Sequence, residues 1–257
     1  MNQETLELCL RISGAFENGD PAYDALTGNF DGCGMSVGIL QWNAGTGSLC
    51  TLIGKMIQNS SAESVNAFFS NEENVASLSQ MTAQQAKQFV LTNFTGDNMN
   101  LTPQAIMDWQ ALLQTEFSIQ AQVDMAVNGV LAKAMSLASH YTQTNNLRDI
   151  SFFFDLVTQS GGMSNSRGSV TPLADISQSS YRQGIEFAQQ KSPMAAKHWT
   201  SVCEQDAQAQ LLLHYAYQRA LLSRPEYIWD SMSRRGAIAC RGGVVHGAWF
   251  DFSTLLP

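Results

Sequence analysis

NFDGCGMSVGILQWNAGTGSL, residues 29–49, is a glycine-rich stretch in which glycines alternate with apolar side chains. Gly32, Gly34 and Gly38 are spaced too closely for a stable helix, and the apolar residues between them are typical of a short hairpin. Ser48 is expected to cap a helix that follows the hairpin, because apolar residues recur at helical spacing after it. The stretch therefore predicts a small sheet followed by a helix.

Most of the remaining chain is predicted to be helical. Apolar side chains recur at helical spacing over residues 3–18, and the Gly-Asp-Pro sequence at 19–21 stops that helix. A long apolar-periodic run covers residues 103–141 and contains no proline between 105 and 139. Further helices are expected over residues 62–70, 82–93, 149–159, 174–191, 193–221 and 225–240.

These elements predict an α+β fold, mainly α-helical, with one small antiparallel sheet near the N-terminus. If the run over residues 103–141 is one helix, it joins two lobes, approximately 1–100 and 101–257, with a cleft between them. A length of 257 residues, 44% of them hydrophobic, is sufficient for a domain with an extensive core. No repeat of fixed period is present, so a solenoid is not expected.

Charge and composition exclude several classes of partner. Fourteen basic residues against 22 acidic ones give a formal net charge of -8, which disfavours nucleic acid and favours a cationic polymer. The first residues lack the basic region of a secretory signal, and no apolar run reaches the length of a membrane span. Five scattered cysteines without a CxxC pair predict neither a metal site nor a disulfide framework, and no cofactor is expected.

Glu17 and Asp31 are a candidate pair of catalytic carboxylates. Hydrolysis of a bond between sugars requires one carboxylic acid to protonate the leaving oxygen and a second carboxylate to activate water or attack carbon. Partial burial and the negative end of the helix dipole favour the protonated form of Glu17, whereas backbone amides in the glycine-rich loop favour the ionised form of Asp31. A solvated helix end and an ordinary Asn-x-Asp-Gly turn are the alternative interpretation.

The wider arrangement of these residues resembles a known family. A glutamate ends the first helix, and the next motif reads Asp-Gly-x-Gly-x-Ser-x-Gly, then an apolar pair, Gln-Trp and a Gly-Thr-Gly turn. This order resembles the lysozyme-like glycoside hydrolases, most closely the bacterial chitosanases and the related muramidase domains of phage lysins and interbacterial secretion effectors. Over residues 12–52 the resemblance implies Glu17 as the acid, Asp31 as the base and Ser36 as a hydroxyl that helps to hold the water. The resemblance also implies one catalytic domain over residues 1–257. One departure from the family pattern is that the interval from Glu17 to Asp31 is shorter than in typical chitosanases.

Two later segments, FFFDLVTQSGGM (152–163) and SRRGAIACRGGVVHG (233–247), resemble the muramidase-like branch of the same family. The resemblance implies that they form the second wall of the cleft. Arg234, Arg235 and His246 would then lie near the substrate or the acidic pair. Salt bridges for the arginines and a structural role for the histidine are the alternatives.

Polar and aromatic residues beside the hairpin are candidate substrate-binding groups. Trp42 is the candidate for stacking on a sugar ring, because aromatic rings pack against the apolar face of pyranoses. Gln41 and Asn43 are candidate hydrogen-bonding groups for hydroxyl or acetamido groups, and Thr46 in the Gly-Thr-Gly turn is a further contact. Burial of Trp42 in the core is the alternative if the hairpin folds inward.

Other catalytic motifs are incomplete. Residues 34–38 match Gly-x-Ser-x-Gly, but a nucleophile elbow requires a helix directly after the serine, and none is predicted there. The glycine- and serine-rich segment 161–169 lacks the Lys-Ser/Thr ending of a phosphate-binding loop. HExxH does not occur in the sequence.

The sequence thus predicts a lysozyme- or muramidase-like glycoside hydrolase that cleaves β-1,4 bonds of peptidoglycan, with inversion, as a lysin or a secreted antibacterial effector. Peptidoglycan glycan strands are the expected partner, with an immunity protein or a secretion-system carrier in addition. Such a protein is made in the cytoplasm without a signal peptide and acts on the cell wall in the periplasm after delivery. A chitosanase and a non-catalytic cell-wall binding module are the alternatives.

Overall fold

The first helix, α1 (Asn2–Ala15), confirms the helix expected at the N-terminus as far as Ala15. It is the first element of a computed structural model of the chain. The structure describes residues 2–16, 22–29, 32–69, 74–96 and 99–257.

Helices make up most of the chain that follows. They are α2 (Ser48–Asn59), α3 (Ala62–Asn66), α4 (Ala83–Phe94), α5 (Pro103–Leu113), α6 (Glu116–Met125), α7 (Ala132–Thr142), α8 (Leu147–Ser160), α9 (Tyr181–Lys191), α10 (Pro193–Cys203), α11 (Ala207–Ala220) and α12 (Ile228–Ala239). Short 3-10 helices occupy Val75–Gln80, Ile176–Gln178 and Pro225–Tyr227, and a π-helical segment occupies Ala126–Leu131. Among the described residues, none of these helices combines the length and apolarity needed to cross a bilayer.

The strands form three small antiparallel sheets. They are β1 (Leu26–Thr27), β2 (Ser36–Val37) and β3 (Trp42–Asn43) in one sheet, β4 (Ser164–Asn165) and β5 (Gly168–Ser169) in a second, and β6 (Gly242–Val245) and β7 (Ala248–Asp251) in a third. The α+β, mainly helical fold class and the sheet near the N-terminus are therefore confirmed. The other two hairpins were not predicted, and the C-terminal one has a sequence signal, the turn Val245-His246-Gly247 between apolar residues.

The chain divides into two compact units, described separately below. Unit 1 comprises Met1–Asp20 and Val127–Pro257, and unit 2 comprises Pro21–Ala126. The expected lobes, approximately 1–100 and 101–257, stay a prediction; in the structure α5 and α6 group with unit 2, where Trp109 packs against two phenylalanines of its core. The assignment of the whole chain to one catalytic domain stays a prediction.

The run over residues 103–141 is not one helix. α5 ends at Leu113, and Thr115 begins α6 as its N-cap residue, accepting a hydrogen bond from the backbone N–H of Ser118 through its side chain. A threonine that bonds locally to a backbone N–H favours a helix start over continuation of the preceding helix. Apolar periodicity alone does not reveal such a break, because the spacing persists on both sides of it.

The three-stranded sheet of unit 2 contains two strands from the glycine-rich segment, β2 and β3. Its order is β1-β2-β3, with Leu26 opposite Val37 and Val37 opposite Trp42. Gly38 follows β2 with φ +74°, and its N–H donates to the carbonyl of Ala25 at 2.7 Å. The hairpin predicted here is confirmed.

The core of unit 2 lies between this sheet and helices α2, α4 and α5. Phe69, Phe94 and Trp109 form an aromatic group with ring centroids 5.3–5.6 Å apart. The apolar face of α2, which includes Leu52 and Ile53, is fully buried in the same core. The helical spacing of apolar residues in the sequence of α2 therefore predicted its buried face.

Unit 1 is organised around α8. This helix packs against α1, α7 and α12, and its residues from Arg148 to Val157 are buried. A helix that is buried on all sides must pair its polar side chains internally. Asp155, in the C-terminal half of α8, is the centre of the candidate site.

Alanine substitutions at two glycines separate crowding from backbone strain in the hairpin. Gly38→Ala should lower the free energy of unfolding by about 2–4 kcal/mol, because the new Cβ would lie 2.9 Å from Cδ of Gln122 at a positive φ. Gly32 has a similar φ of +77°, but a Cβ added there meets no described residue within 4 Å, so Gly32→Ala should cost only about 1–2 kcal/mol. Urea unfolding measures both, and equal losses would contradict the crowding at Gly38.

Candidate active site

A buried ion cluster joins α8 to α12 in unit 1. Asp155 has no exposed surface, and its Oδ1 accepts hydrogen bonds from Nε of Arg234 at 3.2 Å and Nη2 of Arg234 at 2.8 Å. Nε of Arg235 lies 3.8 Å from Oδ2 of the same carboxylate. Two consecutive residues of α12 thus share one buried carboxylate, and this contact sets the position of that helix against α8.

Arg235 is the more deeply buried of the two arginines, with 1% of its surface exposed. Its Nη1 donates to the carbonyl of Ser231 at 2.8 Å, and its Nη2 donates to Oγ of Ser160 at 2.9 Å. Burial lowers the pKa of Arg235 to about 10, and Asp155 opposes this effect. The guanidinium therefore stays charged at neutral pH and acts as a structural partner of α8.

Arg234 connects the cluster to the end of α1. Its Cζ lies 4.7 Å from the centroid of the Phe16 ring, a cation–π distance. Phe16 also makes edge contacts with Phe250 at 5.2 Å and Phe252 at 5.5 Å. The last described residue of the N-terminal segment is therefore held from two sides, and Glu17 follows it directly in the sequence.

Glu17 and Asp31 themselves lie outside the described residues. Their roles and their separation stay predictions. What the structure describes is their surroundings in each unit: Phe16 and Arg234 in unit 1, and the loop on either side of Asp31 in unit 2.

Asn29 closes that loop of unit 2. Its carbonyl accepts from the N–H of Gly32 at 3.3 Å, and its Oδ1 accepts from the N–H of Gly34 at 2.8 Å. Gly45 holds the next part of the loop, since its N–H donates to the carbonyl of Cys33 at 2.8 Å and an added Cβ would lie 2.9 Å from Cα of Cys33. A side chain at Gly45 would therefore clash with the backbone of Cys33.

Ser36 lies in β2, opposite Thr27 and Asn43, with 5% of its surface exposed. β3 follows it, and the next helix begins only at Ser48. The strand-to-helix turn of a nucleophile elbow is therefore absent at Ser36, as the sequence indicated. Its role in holding a water stays a prediction.

The predicted binding residues of the hairpin have structural partners within unit 2. Gln41 accepts from Oγ1 of Thr27 at 2.9 Å and donates to the carbonyl of Gly38 at 3.1 Å. Oδ1 of Asn43 accepts from the N–H of Thr46 at 2.8 Å, so this side chain closes the Gly-Thr-Gly turn. Thr46 is exposed, and its hydroxyl lies 3.0 Å from that of Ser48.

Trp42 is part of the hydrophobic core of unit 2, with 8% of its surface exposed. A ring buried to this extent offers little face for a sugar, which argues against the stacking role expected for it and favours the core alternative. The physical reason is the register of the hairpin, which places Trp42 opposite Val37 on the buried side.

His246 lies in the turn between β6 and β7, and its Nε2 is 2.5 Å from Oδ1 of Asp230. Both side chains are about half exposed. The histidine thus has an acidic partner on α12, which is the structural alternative that the sequence left open. Its predicted contact with substrate remains untested.

Gln122 on α6 is a structural residue that the sequence analysis missed. Its side chain is fully buried, accepts from the N–H of Ile39 at 3.1 Å and donates to the carbonyl of Tyr23 at 3.0 Å. It therefore anchors both the hairpin turn and the segment that precedes β1. A signal was present, because Ser118, Ala121 and Gln122 share the buried face of α6 at helical spacing.

Comparison with known proteins gives a likeness of fold. No family model matches the chain, and no curated protein matches it in sequence. Among solved structures, the native chitosanase of Bacillus subtilis MY002 matches with a TM-score of 0.53 at 16% sequence identity, over 93% of this chain and 88% of that chain. A glutamate-to-alanine mutant of a chitosanase from the same organism, complexed with 6 GlcN, matches over the same shares with a TM-score of 0.52. The chain therefore has a chitosanase-like fold, which agrees with the predicted fold class.

The contribution of the ion cluster can be measured with Asp155→Asn. Removing the charge takes away the carboxylate that two buried guanidinium groups share, so the free energy of unfolding should fall by about 3–5 kcal/mol. Glu204→Gln is the matched control, because it makes the same charge change at an exposed position of unit 1 and should change stability by no more than about 0.5 kcal/mol. Equal effects of the two substitutions in urea unfolding would show that the cluster does not hold α12 in place.

Proposed function

We propose that this protein is a glycoside hydrolase that cleaves the β-1,4 bonds of peptidoglycan by acid–base catalysis. The observation that carries the proposal is the fold likeness to chitosanases over 93% of the chain. Because a fold hosts many functions, the proposal also needs the acidic residues of the motif, Glu17 and Asp31. The two arguments are independent, since the motif was identified from sequence alone.

In the proposed mechanism, Glu17 donates a proton to the leaving oxygen. The chain reaches Glu17 directly from Phe16, whose ring is held by Arg234, Phe250 and Phe252. A general acid must be positioned to within a fraction of an ångström of its target, so a fixed starting point for its backbone supports this role.

Asp31 is the proposed base, with Ser36 as the hydroxyl that helps to position the attacking water. The hydrogen bonds of Asn29 to Gly32 and Gly34 join the described residues on either side of Asp31. An inverting reaction is proposed, in which water attacks from the face opposite the leaving group. This course requires a carboxyl separation of about 6.5–9.5 Å.

The substrate is proposed to be peptidoglycan because segments 152–163 and 233–247 resemble the muramidase branch of the family. Action on a cell wall, as a phage lysin or a delivered effector with an immunity partner, is the setting that we propose for it. A non-catalytic wall-binding module is the weaker alternative, since both acids and the serine are present in the sequence.

Chitosan is the second candidate substrate. The similar solved structures are chitosanases, one of them complexed with 6 GlcN. The net charge of -8 would also attract a polyamine. Product analysis separates the two candidates.

The decisive experiment is mass spectrometry of the products from purified peptidoglycan and from chitosan. Soluble muropeptides support the muramidase, glucosamine oligomers support the chitosanase, and wall binding without new reducing ends supports the non-catalytic module. Glu17→Gln should lower kcat by about 10²–10⁴-fold, because the leaving oxygen loses its proton donor. Glu4→Gln, at an exposed position of α1, is the matched control and should keep full activity. Full turnover by Glu17→Gln would contradict the assignment of the acid.

A further inference from the structure

A pocket of about 540 Å³ in unit 1 is lined by arginines. Its walls come from the end of α8, the β4–β5 hairpin, the segment between α11 and α12, and α12 itself. We call it the arginine pocket. The arginines that line it are Arg167, Arg219, Arg224, Arg234 and Arg235.

The concentration of positive charge in this pocket is unusual for the chain. Five of the 14 basic residues line it, in a protein whose formal net charge is -8. Asp230 is the acidic residue among the described lining residues, and it is bonded to His246. Asp155 adds a second carboxylate from α8, shared between Arg234 and Arg235. Counted over the described residues, two carboxylates and five guanidinium groups surround the pocket, so arginines predominate there.

The floor of the pocket is rigid. Arg219 is buried, and it donates from Nε to the carbonyl of Gly162 at 2.7 Å and from Nη2 to the carbonyl of Ser160 at 3.1 Å. Burial lowers the pKa values of Arg219 and Arg235. Carbonyl partners satisfy the hydrogen bonds of Arg219 without neutralising its charge, so the positive potential at the floor persists.

The rim is formed by two exposed arginines. Arg167 donates from Nη1 to the carbonyl of Ser223 at 2.7 Å, which fixes the β4–β5 hairpin over the pocket. Within the part of the chain that the structure describes, Arg224 makes no side-chain hydrogen bond or ion pair. Asn165, Ser166 and Tyr227 add polar groups to the wall.

We propose that the arginine pocket binds a carboxylate of the peptide stem of peptidoglycan, with Arg224 and Arg167 as the groups that contact it. This inference rests on the proposed function and specifies its substrate. A guanidinium group matches a carboxylate through two parallel hydrogen bonds, and the volume lies within the range of about 300–1,000 Å³ of small-ligand pockets. Chitosan carries amines, which this pocket would repel, whereas peptide stems carry free carboxylates.

Arg234 relates the arginine pocket to the candidate active site of unit 1. It lines the pocket and also lies over Phe16, the residue before Glu17. A stem carboxylate bound by Arg167 and Arg224 would therefore lie in a pocket that α12 also lines, and Arg234 of α12 contacts Phe16. The pocket thus provides a means of distinguishing a glycan with acidic stems from one without them.

The test measures binding of a purified disaccharide-tetrapeptide muropeptide to the full chain by calorimetry. The same compound with its carboxylates amidated is the neutral probe. The wild type should bind the acidic form about tenfold more tightly than the amidated form. The double variant Arg167→Gln/Arg224→Gln should lose that tenfold preference and bind the two forms alike. Arg182→Gln removes one positive charge at an exposed arginine of unit 1 outside the pocket and should behave as the wild type.

Equal binding of the two forms by the wild type would overturn the inference. It would also be overturned if Arg182→Gln lost the preference for the acidic form to the same extent as the double variant. Tighter binding of inorganic phosphate than of the acidic muropeptide would also overturn it, because the pocket would then be a phosphate site. Thermal unfolding of each variant shows whether a loss reflects the pocket or the fold. Loss of the preference in the double variant, with no cleavage of peptidoglycan by the wild type, would support the pocket and reject the proposed reaction. Cleavage of peptidoglycan by the wild type, without a binding preference for the acidic muropeptide, would support the proposed reaction and reject the pocket.

Discussion

The contact between one carboxylate and two guanidinium groups, Asp155 with Arg234 and Arg235, is the constraint on which the arrangement of unit 1 depends. Removal of three charged groups from water is costly, and their mutual attraction offsets that cost only when the geometry is good. Such a cluster adds little net stability compared with apolar packing. Its effect is to allow one position of α12 against α8, because any sliding of α12 would leave a buried charge unpaired. Through Arg234 the same constraint extends to Phe16 and the end of α1.

The distribution of charge matters more here than its sum. A net charge of -8 suggests a cationic polymer as partner, yet five arginines surround one pocket of unit 1. Screening at physiological ionic strength limits the reach of exposed charges to about 8 Å, so a ligand group responds to the charges that surround it and much less to the total. An acidic chain can therefore contain a site for an anionic group, and the two candidate polymers are distinguished by local chemistry.

In unit 2, the glycine-rich motif predicted the hairpin but not the distant residue that holds its turn. The hairpin was predictable because period-2 alternation and glycine spacing are local properties of residues 29–49. The close approach of Gly45 to Cys33 and the bonds of Asn29 explain why those positions have small or polar residues. Gln122 lies more than 80 residues from the turn that it holds, and only packing of α6 against the hairpin brings the two together.

The sequence by itself determined the helical character of the chain, the hairpin near the N-terminus and the resemblance that pointed to a lysozyme-like fold. These depend on local periodicity and on a contiguous motif. Only the tertiary structure decided that Trp42 is buried, that residues 103–141 form separate helices and that Asp155 pairs with residues about 80 positions away. Apolar spacing shows which face of an element is buried but not which partner covers it. Long-range pairs of charges and the grouping of arginines around one pocket arise only when distant segments pack together.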